Sequence, residues 1–148
     1  MHEQTTDRLQ DLIKINIDSV KGFKEAAETI DNAEIADLLR SIASHRATHI
    51  KELRGLVEMT DEEAEDSGSI KGTVHRWWLS ARGTLSGGDD HAVLAEAQRG
   101  EDAIKHEYES AIEDIKDVPV REVVARQYAE VRSGNDRIST LREAKADA

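Results

Sequence analysis

Residues 9–30 read LQDLIKINIDSVKGFKEAAETI, with Leu9, Ile13, Asn16, Val20, Phe23, Ala27 and Ile30 recurring at alternating steps of four and three. That step pattern stacks side chains on one face of an α-helix. Six of these seven positions are apolar, so the segment predicts an amphipathic helix with Thr6 as N-cap. The same spacing returns in three more places. Ile35, Leu39, Ile42, Arg46, His49, Leu53 and Leu56 form a second stripe, entered at Asp31 with Glu34 three residues on, a loose capping-box spacing. Leu94, Ala97, Glu101, Ile104, Tyr108, Ala111 and Ile115 form a third, capped by Asp89 or Asp90. Val120, Val124, Gln127, Val131, Gly134, Ile138 and Leu141 form a fourth, opened by the only proline, Pro119, where a first turn tolerates it.

Few residues separate the first stripe from the second, or the third from the fourth, so each pair is read as an antiparallel hairpin. Between the hairpins lies a long connection, Met59 to Gly88. It begins acidic and turn-like, then carries Val74, Trp77, Trp78 and Ala81 at helical spacing before Gly87-Gly88. The expectation is one all-α domain over residues 1–148, with helices at about 7–31, 33–58, 70–85, 90–116 and 119–143. Two short hairpins joined by one long crossover containing a short extra helix is the connectivity of a ferritin-like four-helix bundle. One tryptophan is expected to plug the crossover onto the bundle, its neighbour to be partly exposed.

Composition alone would leave folding open. Leu, Ile, Val and Phe make up 32 of 148 residues, not far above the ~20% below which chains tend to stay disordered. Periodicity decides for a folded bundle. The net charge of −11 repels phosphate backbones and anionic membranes, so neither nucleic acid nor a membrane surface is expected as partner. Absence of cysteine excludes disulfides and thiolate metal sites. The opening Met1-His2-Glu3-Gln4-Thr5-Thr6-Asp7 lacks a basic segment followed by an apolar one, and no apolar run approaches the ~20 residues of a membrane span. A cytoplasmic protein is the expectation.

Asn16 to Glu28 (NIDSVKGFKEAAE), Glu65 to Ser69 with His75-Arg76-Trp77-Trp78, Gly87 to Asp90 with Arg99 to Ala103, and Tyr128 to Arg132 are stretches of a specific combination. In them the chain resembles, over nearly its whole length, an uncharacterised bacterial family of ferritin-like four-helix-bundle proteins, a domain of unknown function. The resemblance implies the fold and suggests a bacterial accessory or stress-associated protein; it implies no settled activity.

Ferritin-like bundles hold paired iron with one Glu from each of two helices and a Glu-x-x-His pair from each of the others. No Glu in this chain has a His three residues later. Arg46-Ala47-Thr48-His49 puts a guanidinium where a carboxylate would be wanted, and a fixed cation neither ligates nor tolerates iron. The stripes nevertheless carry polar residues at matching depths. Asn16 lies 14 residues before Ile30, His49 14 after Ile35, Tyr108 14 after Leu94, and Gln127 14 before Leu141. A buried polar layer of Asn16, Arg46, His49, Glu101, Tyr108 and Gln127 is expected, with Arg46 and Glu101 paired across helices and His49 bonded to Asn16 or Tyr108. His45 and His49, four apart, could share one ion, but nothing completes the set. His75, His91 and His106 are read as surface residues, and Gly22, Gly100 and Gly134 as points of close helix approach.

No nucleophile elbow, triad or phosphate loop is present, so a non-enzymatic bundle acting through its surface or by self-assembly is expected, with a homo-oligomer, a dimer first, and no cofactor. Two alternatives stand beside it. One is a metal-binding or oxidative protein using iron or another divalent metal on Glu25 or Glu28, His49, Glu101 and Glu130. The other is a small-ligand binder in the polar layer.

Overall fold

The structure, a computed structural model, describes residues 3–60, 64 and 90–146. The expected crossover helix at 70–85, with His75, Trp77 and Trp78, and the Gly87-Gly88 turn lie outside them. Among the described residues there are four α-helices and no strand: α1 (Glu3–Thr29), α2 (Ala33–Glu58), α3 (Asp90–Asp114) and α4 (Val118–Ala146). At 1.5 Å per residue each is about 37–44 Å long. No helix among the described residues is long and apolar enough to cross a membrane.

The 3-4 stripes become the core. Leu9, Ile13 and Phe23 of α1, Ile35, Leu39, Ile42 and Leu53 of α2, Leu94, Ile104 and Tyr108 of α3, and Val124, Val131 and Ile138 of α4 are wholly buried. Burial of such side chains is worth about 1.5–3 kcal/mol each. This is what holds together a chain whose overall composition is so polar.

Helix ends differ from the sequence reading where several residues compete for one role. Thr6 lies inside α1, which begins earlier, at Glu3. The cap of α2 is Asn32 rather than Asp31: its Oδ1 accepts from the Ile35 amide at 3.1 Å, in extended backbone. Asn32 also donates Nδ2 to Asp90 Oδ2 at 2.8 Å, tying the start of α2 to the start of α3. At α4 Asp117 takes the cap, accepting from the Val120 amide at 3.3 Å, with Pro119 in the first turn.

Cross-helix contacts fix the directions. Arg8 meets Asp114 at 3.2 Å and Asn16 meets Tyr108 at 2.8 Å, so α1 and α3 are antiparallel. Asn135 meets Asp102 and Arg142 meets Gln98, so α3 and α4 are antiparallel. Arg126 meets Glu52 and Arg137 meets Ser41, which makes α2 and α4 antiparallel as well. It follows that α2 and α3 run the same way, with Glu58 and Asp90 at opposite ends of the bundle. The α1–α2 and α3–α4 hairpins pack most extensively, and the α2–α4 seam is the loosest of the four adjacent pairs.

Candidate functional site

Near mid-length the apolar stripes give way to polar side chains that are fully buried: Asn16, Arg46, His49, Glu101, Tyr108 and Gln127. They do not form one ring. They divide into a chain of hydrogen bonds and an ion pair, with His49 beside both.

The chain starts on α1. Asn16 Nδ2 donates to its own helix at Leu12 O (2.7 Å) and to the Tyr108 hydroxyl (2.8 Å). Tyr108 donates in turn to Gln127 Oε1 at 2.8 Å. Gln127 Nε2 donates to Glu52 Oε1 at 3.2 Å and to His49 O at 3.4 Å. Glu52 is held from outside by Arg126, at 2.6 and 3.3 Å. All four helices are thus linked, from the centre to the α2–α4 surface. Burial pushes the Tyr108 hydroxyl well above its usual pKa, so it stays protonated and acts as a donor.

The ion pair joins α2 to α3, Arg46 Nη2 donating to Glu101 Oε2 with both side chains wholly buried. Burial drives the Glu101 carboxyl upward while Arg46 pulls it down. Gly134 of α4 makes room: a Cβ there would sit 3.0 Å from Glu101 Oε2 and 3.6 Å from Arg46 Nη2. Gly134→Ala is therefore expected to destabilise by about 1 kcal/mol although Ala is the better helix former. Gly55→Ala, where an added methyl meets nothing within 4 Å, is expected to stabilise by about 0.5–1 kcal/mol. Urea denaturation of the two variants reads both signs.

His49 corrects the expectation of an Asn16 or Tyr108 partner, for Asn16 Nδ2 bonds the Tyr108 hydroxyl while the His49 Nε2 turns to α4. Its Nε2 lies 2.5 Å from Glu130 Oε2, a half-exposed carboxylate of α4. Burial is the main cause holding the His49 pKa below 6.5, Arg46 adds to it, and Glu130 and Glu52 oppose. The unfolded chain therefore takes up the proton first as pH falls. Stability is expected to be full above about pH 6.5 and to decline below it. His49→Gln should flatten that limb; denaturation of both proteins across the range checks it. Glu52, held below its usual pKa chiefly by Arg126, adds a second loss at lower pH.

The candidate metal residues are not gathered into one cluster among the described residues. Glu25 and Glu28 are exposed, Glu101 is committed to Arg46 and Glu130 to His49. His45 points to solvent while His49 is buried, so this pair shares no site. Among the described residues no three His, Asp or Glu side chains gather into a group able to hold a metal. His106 is exposed, as expected, against Glu109 at 3.2 Å.

Glu52, Arg126, Asp18 and Ser19 stand outside the residues that the four stripes single out. The first two are near-surface and leave no mark on a core stripe. The buried Ser19 had a signal: Thr5, Leu12, Ser19 and Ala26 repeat every seven residues, and all are buried. The buried Asp18 beside it lies off that repeat.

Residues 4–114 match the family model described as "Domain of unknown function (DUF2383)". No curated protein matches the chain.

Proposed function

As the chain belongs to the DUF2383 family, described only as a domain of unknown function, we propose from its geometry that it is a ferritin-like bundle turned to a non-enzymatic role, acting through its surface. Parallel α2 and α3, with an antiparallel hairpin on either side, support the ferritin-like connectivity. The observation that carries the functional reading is the wholly buried Arg46–Glu101 pair. It sets a permanent cation at the depth where such bundles gather carboxylates, and it uses the one buried carboxylate of α3 to neutralise that cation. What remains is a layer suited to fixing helix order and register.

Elemental analysis of the purified protein tests this. Iron, manganese and zinc are each expected well below one equivalent, and a stoichiometric metal would refute the reading.

One observation favours a second reading. Arg46 Nε and Nη1, His49 Nδ1, Asn16 Oδ1 and Glu101 Oε1 are buried without a hydrogen-bond partner among the described residues. Buried polar atoms of this kind are commonly served by ordered water. The layer thus has the donors and acceptors to take water or a small polar molecule. Density larger than water beside Arg46 in a high-resolution crystal structure would favour a ligand.

A further inference from the structure

The loosest seam of the bundle carries a feature that the buried layer does not use. α2 and α4 are linked at mid-length by polar side chains, His49 to Glu130 and Glu52 to Arg126. Toward the start of α2 they leave a groove of about 640 Å³. Leu38 and Leu141 give it an apolar lining, and the exposed Glu34, Asp37 and Asp136 surround them with carboxylates. Arg137 is the one cation lining it among the described residues, with both terminal nitrogens 3.4 Å from Ser41 Oγ across the seam. From Ser133 to Ala144 the lined stretch of α4 rises about 16 Å, or three helical turns.

We propose that this α2–α4 groove is a docking site for a cationic amphipathic helix of a partner protein. The inference rests on the surface-acting reading above and names the class of partner. The groove and such a helix are complementary in shape and charge. Apolar side chains at i, i+3, i+4 and i+7 of a short helix fit a groove of this length, and flanking Lys or Arg meet the carboxylates. Two other occupants, a second copy and an anionic surface, meet opposition. A second copy presenting the same groove brings like charges together, and anionic lipid or nucleic acid is repelled by a surface of net charge −11.

The probe is a fluorescein-labelled peptide of about 14 residues built from Leu and Lys, with Leu at helical spacing. Two controls accompany it, a composition-matched scrambled peptide and a Leu/Glu counterpart. Fluorescence anisotropy is expected to show saturable binding of the Leu/Lys helix alone. Asp37→Lys combined with Asp136→Lys, both exposed positions, should weaken it by about tenfold or more, equivalent to about 1.4 kcal/mol. Amide shifts in the folded protein should centre on Leu38 and Leu141. Equal binding of the scrambled peptide, unchanged affinity of the double variant, shifts centred elsewhere, or no saturable binding would each overturn the proposal. Metal content of the same preparation separates the two levels: a stoichiometric metal defeats the non-enzymatic reading, whereas a metal-free protein that ignores the peptide defeats the groove alone.

Discussion

Replacing Arg46 with methionine is expected to cost the bundle about 3–5 kcal/mol, a large part of the ~5–15 kcal/mol that keeps a domain folded. The loss comes from Glu101, left wholly buried without its counter-charge. Two further results distinguish this cause from lost packing. First, Arg46→Met with Glu101→Leu should return to wild-type stability or above, because two apolar side chains of similar volume carry no desolvation penalty. Second, the penalty of the single variant should shrink as pH falls. Burial already pushes the Glu101 carboxyl upward, and without Arg46 nothing opposes it. A carboxyl whose folded pKa is raised destabilises the fold at high pH and is relieved when it takes up a proton. Urea denaturation of the wild type, single and double variants at about pH 8 and about pH 5 gives both comparisons. A double variant as weak as the single would sink this account of the pair.

The second large effect is expected at Tyr108. Tyr108→Phe keeps the ring and its burial but removes the hydroxyl that accepts from Asn16 and donates to Gln127. Gln127 Oε1 then has no donor, and Asn16 Nδ2 keeps only Leu12 O. One buried acceptor orphaned and one hydrogen bond lost should amount to about 2–3 kcal/mol. The effect should not be additive. Adding Gln127→Met to Tyr108→Phe removes the orphaned acceptor, so the pair should be less destabilised than the sum of the single variants by about 1 kcal/mol. Full additivity would mean that Tyr108 and Gln127 do not act as one chain.

How far the sequence carries these conclusions depends on which physical signal each residue leaves. The four stripes are legible because a helix advances by a constant rise, and counting 14 residues along each brings Asn16 and Gln127 to the level of Tyr108, which bonds both. The same count brings Arg46 near Glu101. It misplaced the partner of His49, since Glu130 stands off the apolar stripe of α4 and half in solvent. Periodicity marks which residues face inward and is silent about a surface carboxylate that leans back over the seam. Caps are ambiguous for a local reason: Asp31 and Asn32 are both good N-caps, and in the fold it is Asn32 that accepts from the Ile35 amide and also reaches Asp90. The groove beside Leu38 left no trace at all, because it arises from how far apart α2 and α4 lie, which neither stripe encodes.

The claim at the centre of the account is that an immobile Arg46–Glu101 pair, rather than a metal-binding cluster, occupies the middle of the bundle. The side-chain ¹⁵N spectrum of Arg46 tests it most directly. The account predicts resolved Nε and Nη resonances, slow rotation about the guanidinium bonds, slow exchange with water and displacement of these signals by Glu101→Gln. A single averaged, rapidly exchanging guanidinium signal that ignores Glu101→Gln would contradict it.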